Sequence, residues 1–330
     1  MDDLTPLAGE AAAAPAAAGV RAAWSAVPAG VRAAVEGHLG SRVVAADSQR
    51  GGFSPGVAAR LRLADGRRAF VKAVSEAQNP ESPGIHRSEL RVAGALPAAV
   101  PAPRLLAGFD RDGWVVLLFE DVEGRTPAQP WLPGELARVM AAVGGLAAQL
   151  TPSPVDVPPV AERQADAFRG WRTLAAGHAA GTDGLAGLDP WAVRHLDALA
   201  ELEAGWAAGA AGDTLAHSDL RADNLLLTPD GRVVVVDWPW ACRAARWFDL
   251  LLMLPSVRMQ GGPPPQQLFD PHEVAAGADP EAVTAVLAAF TGFLVAHARR
   301  PAPPGLPTLR PFQAAQARTA LTWLRTRTTL

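Results

Sequence analysis

The sequence predicts an α+β chain in two parts, a small antiparallel β-rich part followed by a larger helical one. Alternating apolar residues around Asp-Gly turns dominate before residue 120, helical periodicity dominates after 123, and no repeat of fixed period interrupts either. At 330 residues the chain can bury two cores, and 49% hydrophobic against 19% charged content excludes global disorder. A formal net charge of -3 offers no general attraction to nucleic acid or anionic lipid, so neither is an expected partner. The lone Cys242 excludes a disulfide framework and a multi-cysteine metal site, and fits a reducing compartment. Asp2 and Asp3 stand where a signal peptide carries basic residues, which points to the cytoplasm. The uncharged stretch between Glu281 and Arg299 contains Thr284, Thr291, Gly292 and His297, and reads as a buried helix rather than a membrane span.

Residues 1–24, rich in Ala, Pro and Gly, are expected to be a mobile leader, with the β-rich part over 25–122 and the helical part over 123–330. A helix runs from Pro28 to a stop at Gly40. Val57, Ala59, Leu61 and Leu63 alternate up to Asp65-Gly66, read as a two-residue hairpin turn, and Ala69 to Val74 return. Residues 85–96 form a helix ended by Pro97, and Asp112-Gly113 turns the chain into the apolar strand Trp114 to Phe119. Helices then cover about 134–150, 160–180, 190–208, 246–254, 279–298 and 311–326. A cleft is expected where the two parts join, near residues 120–125.

One strand-rich insertion carries the chemistry. It runs from His217-Ser218-Asp219-Leu220-Arg221-Ala222-Asp223-Asn224 into Leu225 to Leu227, turns at Thr228-Pro229-Asp230-Gly231, and returns through Val233 to Val236 to Asp237. With Asp230-Gly231 as a two-residue turn, Asn224 and Asp237 face each other, and directly opposed residues have Cβ atoms roughly 4.5 to 5.5 Å apart. An amide and a carboxylate at that separation suit Mg²⁺, which takes a few oxygen ligands plus phosphate and water, so a phosphoryl donor is implied. Asp219, at the start of the loop, is placed to orient an attacking hydroxyl and accept its proton.

Lys72 is the only lysine among 30 basic residues. A chain that otherwise uses arginine keeps a compact ammonium in the middle of an apolar strand, which suits a point contact to phosphate oxygens. Gly51-Gly52-Phe53-Ser54-Pro55-Gly56 lies between two strands, where glycines let backbone N–H groups approach phosphate. Glu89, on the helix after Lys72, is a candidate partner for the ammonium, with Glu81 as the competing choice.

This order of Gly-rich hairpin, strand lysine, helix glutamate, His-x-Asp-x-x-x-x-Asn loop and distal Asp resembles the protein-kinase-like bilobal fold, and most closely the aminoglycoside phosphotransferase family. The resemblance spans about residues 42–255. It implies that Gly51, Gly52 and Ser54 cover the phosphates of the donor, ATP or GTP, and that Lys72, held by Glu89, contacts the α and β phosphates. The interlobe hinge would lie at Phe119 to Val122, with Glu120 and Val122 meeting the nucleobase. Asp219 is the implied base, Asn224 and Asp237 the magnesium ligands, His217 a structural residue and Asp249 a buttress of the loop. Only eleven residues separate Asp237 from Asp249, too few for the peptide-docking segment of protein kinases, which favours a small hydroxylated acceptor.

Two departures stand out: Trp238 and Pro239 follow the distal Asp, and Arg221 takes a place often held by His. Arg221 either stabilises the transferred phosphoryl group, as a catalytic residue, or pairs with Asp223. For the acceptor, Asp270, Glu273, Asp279 and Glu281 offer a carboxylate cluster suited to a polycationic antibiotic. Six arginines after Glu281, with no acid, suit a neutral or anionic one instead. The expected activity is phosphoryl transfer by a monomer or homodimer, an antibiotic being one candidate acceptor; the alternative is an inactive nucleotide-binding regulatory module.

Overall fold

The computed structural model describes residues 14–49 and 51–330. Helix α1 (Ala29–Leu39) begins after Pro28, whose fixed φ suits a helix start, and ends at Gly40 in the left-handed region at φ 67°. A five-stranded antiparallel sheet follows in the order β1-β2-β3-β5-β4, built from β1 (Val43–Ser48), β2 (Val57–Leu63), β3 (Arg68–Ser75), β4 (Leu105–Arg111) and β5 (Trp114–Glu120). Helix α2 (Ser82–Ala95) lies between β3 and β4 in the chain. Successive strand side chains point to opposite faces. Ala59, Leu61, Ala69 and Val71 pack with Val31 and Val35 of α1 on one face, and Leu117 and Phe119 pack with Phe70 and Leu90 on the other. Lys72 shares the parity of Phe70, so β3 delivers it to the face that α2 covers.

The three Asp-Gly turns differ. Asp112-Gly113 is a two-residue turn with both φ positive, 51° and 77°, between paired Arg111 and Trp114. At Asp65-Gly66 the Leu63 N–H bonds to the Arg67 carbonyl and Arg62 pairs with Arg68, so the loop is Ala64-Asp65-Gly66, with Gly66 alone left-handed at 86°. The hairpin at Asp230-Gly231 also has a three-residue loop, because Thr228 N–H bonds to Arg232 O and Leu225 pairs with Val235. Both correct the two-residue expectation.

The expected leader is also corrected over its described part; residues 1–13 lie outside the described residues. Ala18 and Arg21 form parallel bridges to Gly52 and Gly56, and Val20 N–H bonds to Gly305 O at 2.8 Å. Backbone pairing needs no apolar periodicity, so composition gave no warning of it.

The helical part opens with α3 (Pro133–Gln149). The long helices expected over 160–180 and 190–208 are broken into α4 (Val160–Arg163), α5 (Gly170–Ala179), α6 (Pro190–Arg194), α7 (Leu196–Ala204) and α8 (Trp206–Gly209). Then come β6 (Thr214–Ala216), β7 (Leu225–Leu227), β8 (Val233–Val235) and β9 (Cys242–Ala244), where β6 pairs with β9 and β7 with β8. Helices α9 (Phe248–Met259), α10 (Pro265–Phe269), α11 (Pro280–Ala298) and α12 (Leu309–Arg327) complete the chain. Helix α11 is long and apolar enough to cross a membrane, but it is buried against α5, α7 and α12, as the core-helix reading expected.

Candidate active site

A cavity of about 200 Å³ lies between the sheet and the β7–β8 hairpin. Its apolar end is lined by Ala58, Phe70, Leu96, Phe119, Leu226 and Val236, a slot suited to a flat aromatic ring. Glu120, Asp121 and Val122 form its edge. Asp121 has a side chain only 2% exposed and pairs with Arg60 and Arg68, while Arg60 also donates to the carbonyls of Val122 and Gly124 at 3.2 and 3.1 Å. The connection between the two parts is therefore fixed by side chains of β2 and β3. The Glu120 side chain points outward, 45% exposed and 3.9 Å from Arg104, which leaves its backbone as the part facing the slot.

Lys72 sits at the polar end. Its Nζ donates to Glu89 Oε1 and Oε2 at 2.7 and 2.8 Å and to Asp237 Oδ1 at 2.7 Å. Glu89, not Glu81, is its partner from α2. Two carboxylates share one ammonium, and their protonation separates accordingly. Burial pushes Glu89 up to about 7 against the pull of Lys72, whereas Lys72 outweighs burial at Asp237 and holds it down to about 2. Burial disfavours the charge on Lys72, but the two carboxylates together raise its pKa.

The loop between β6 and β7 is built locally. Asp249, in the first turn of α9, accepts the N–H groups of His217 and Ser218 at 2.7 Å each. This holds Ser218 at φ 68°, a conformation that side chains other than glycine rarely adopt. His217 donates through Nε2 to Val236 O at 3.0 Å and accepts the Asp219 N–H at Nδ1 at 3.2 Å. The two bonds require a neutral ring carrying its proton on Nε2, and burial holds its pKa down to about 4. Asn224 donates through Nδ2 to Asp219 O at 2.8 Å, leaving its Oδ1 for another partner.

Arg221 donates to Asp219 Oδ1 and, at 3.1 and 3.0 Å, to both oxygens of Asp223. Its guanidinium stacks over Phe53 at 5.4 Å and Phe312 of α12 at 5.7 Å. The expected pairing with Asp223 is present, and a second one to Asp219 accompanies it. Burial raises the Asp219 carboxyl to about 7 even though Arg221 opposes the shift.

Asn224 and Asp237 both line the cavity, but not as an opposed strand pair. Val236 N–H bonds to Asn224 O, one position short of the expected register. Asp237 lies beyond the ladder at φ 70°, and this left-handed step turns its carboxylate toward Lys72. The donor set of one amide oxygen and one carboxylate fits Mg²⁺, which takes a few oxygen ligands and keeps several waters.

Gly51, Gly52 and Ser54 also line the cavity. Gly52 has φ 71°, and at Gly56, φ 97°, a Cβ would meet Ala73 O at 2.6 Å, so the loop needs glycine there. Trp238 is buried and donates to Val235 O, while Trp240 is exposed beneath Arg163, so only Trp238 walls the cleft. Of the carboxylates expected to cluster at 270–281, Asp270 is remote from this site and Glu273 packs against Gly144 of α3. Asp270 pairs with Arg327 at the far end of α12, and Phe312 marks the near end. Fifteen residues of helix, at about 1.5 Å each, separate the two ends by roughly 20 Å. Sequence reasoning missed Arg21, Arg60 and Phe312, none of which sits in a distinctive pattern, and named the hinge without the Asp121 side chain that fixes it.

A family model described as the phosphotransferase enzyme family matches residues 51–272. No curated protein sequence matches. Among solved structures, choline kinase LicA from Streptococcus pneumoniae superposes with a TM-score of 0.59 at 13% identity, over 90% of this chain and 98% of that one. Aminoglycoside phosphotransferase APH(4)-Ia, in a ternary complex with ADP and hygromycin B, gives 0.58 at 16% identity over 90% and 98%. Spectinomycin phosphotransferase APH(9)-Ia, bound to AMP, gives 0.52 at 14% over 88% and 97%. The fold is the kinase-like one.

Proposed function

The chain belongs to the phosphotransferase enzyme family, and from that premise we propose that it moves the γ-phosphoryl group of ATP or GTP to a hydroxyl of a small molecule. The observation that carries this reading is the convergence of Lys72 on Glu89 and Asp237 in the cleft that Asn224 also lines, beside Asp219. The slot under Phe119 takes the nucleobase, with the backbone of Glu120 and Val122 at its edge, and Gly51, Gly52 and Ser54 cover the phosphates. Lys72 contacts phosphate oxygens as a point charge, and Glu89 fixes its position.

Asn224 and Asp237 would hold magnesium, which supplies neutralisation of phosphate charge. Asp219 orients the acceptor hydroxyl and takes its proton on a carboxylate oxygen. The acceptor oxygen bonds to the γ phosphorus while the bond to the β-phosphate oxygen breaks, its electron pair leaving with the nucleoside diphosphate. Arg221, held between Asp219 and Asp223, positions the base. The acceptor is a small hydroxylated molecule, an antibiotic being one candidate, and the six arginines that follow Glu281 without an acid favour a neutral or anionic one.

The test is nucleoside diphosphate release by purified protein with ATP and GTP, with and without Mg²⁺, against cationic aminoglycosides, neutral macrolides and nucleosides, and anionic metabolites. Stimulation by one class that Asp219→Asn abolishes supports the reading. Tight nucleotide binding with no turnover on any class favours the regulatory module.

A further inference from the structure

Arg21 enters the phosphate end of the cleft from outside the region that the family model matches. The segment that carries it is tied on two sides. Toward the Gly-rich loop, Ala18 bridges Gly52, Arg21 bridges Gly56, and Ala22 N–H bonds to Gly56 O at 2.9 Å. Toward the helical part, Thr308 Oγ1 donates to Ala18 O at 2.7 Å and Val20 N–H bonds to Gly305 O at 2.8 Å. Gly19 lies between the two, with its Cβ position 3.1 Å from Ser54 O and 3.2 Å from Leu306, so no larger residue fits without displacement.

The guanidinium donates to the carbonyls of Gly51 and Ser54, beneath the loop proposed to cover the phosphates. Its Nε is buried and has no hydrogen-bond partner among the described residues. A buried donor without an acceptor carries a desolvation cost, which an incoming acceptor would relieve. Charge points the same way. Lys72 and Arg221 face four carboxylates, Glu89, Asp219, Asp223 and Asp237, so a polyanionic donor enters a region where acids outnumber bases. Arg21 lies within the electrostatic reach of Asp237 and reduces that excess.

We infer that Arg21 is a donor-binding residue, whose guanidinium contacts the non-bridging oxygens of the terminal phosphates and brings the segment 18–22 into the nucleotide site. The inference rests on the proposed kinase reading. A planar fork suits phosphate oxygens, and its hold on two loop carbonyls sets it in place before the nucleotide arrives.

Calorimetric titration of the full chain, wild type, Arg21→Ala and Arg21→Lys, with ATP, ADP and adenosine, and with the guanine series in parallel, tests it. The expected result, read in the series that wild type binds, is a loss of at least about tenfold in triphosphate affinity for Arg21→Ala, from removing hydrogen bonds to a charged group. Nucleoside affinity should stay within about twofold, and Arg21→Lys should recover part of the loss. Triphosphate affinity unchanged in Arg21→Ala overturns the inference alone. An equal loss for triphosphate and nucleoside also overturns it, because it marks a loosened loop rather than a lost phosphate contact. Wild-type protein that binds no nucleotide overturns the kinase reading and this inference with it.

Discussion

Lys72, Glu89 and Asp237 come together from β3, α2 and the segment after β8, across 17 and 165 positions, whereas Asp219, Arg221, Asp223 and Asn224 meet within one short loop. The first cluster exists only when the sheet and the β7–β8 hairpin close on each other. The second is held by its own spacing, with Asp249 and His217 fixing the backbone beneath it. Changes in the long-range cluster should therefore move stability and nucleotide affinity together, and a change at Asp219 in the local one should move turnover with little effect on either.

The largest expected effect is Asp219→Asn, which should lower kcat by about 10² to 10⁴ while the melting temperature and nucleotide KM stay near wild type. A comparable loss of nucleotide affinity in that variant would break the division between the clusters. Lys72→Met leaves Glu89 and Asp237 as uncompensated neighbours in the cleft. Breaking such a buried pair costs on the order of 3 to 5 kcal/mol, so thermal unfolding should shift down alongside nucleotide affinity. Lys72→Arg should not restore affinity, since a guanidinium does not fit the space of an ammonium held at 2.7 Å by two carboxylates.

Asp249→Asn sharpens the comparison from the other side. It deprives one of the two N–H groups of its acceptor, at a cost of about 1 to 3 kcal/mol, and should lower both the melting temperature and kcat with nucleotide affinity kept. Loss of nucleotide affinity in this variant would show that the loop and the donor cluster are one unit.

The smallest effect comes from outside both clusters. Burial, assisted by Arg300, holds the His297 imidazole down to about 4, while an unfolded chain protonates near the ordinary value of about 6.5. The folded pKa lies below the unfolded one, so the unfolded state binds the proton first and this group costs stability as pH falls from about 6.5 toward 4. The melting temperature of His297→Gln should therefore gain on wild type between pH 7 and pH 5. A constant difference across that range would refute the assignment.

The hairpins show how much of the fold was legible and where reading stopped. Asp112, Asp65 and Asp230 each precede a glycine, yet only Asp112 itself takes a positive φ. The dipeptide allows either loop length, and the core selects between them. Residues paired across two strands face the same side. In β2 and β3 the inward residues are odd-numbered on both arms, Ala59 opposite Val71 and Leu61 opposite Ala69, and a two-residue turn would have set odd against even. In the β7–β8 hairpin the same loop length moves Asn224 opposite Val236. Both cation-ligand candidates were legible as residue types, but what places Asp237 is a left-handed step beyond the ladder rather than strand pairing.

The sequence by itself determined the fold class, the β-rich part ahead of the helical one, the single lysine in its strand and the local loop from His217 to Asn224, because covalent spacing and side-chain alternation act over a few residues. Tertiary structure alone decided that Glu89 rather than Glu81 meets Lys72, that Asp270 lies at the far end of α12, and that Arg21 reaches the cleft. Those outcomes depend on which backbone edges pair and which surfaces are buried together. Nothing in the local pattern distinguishes one arginine among 29 until its segment is laid beside the Gly-rich loop.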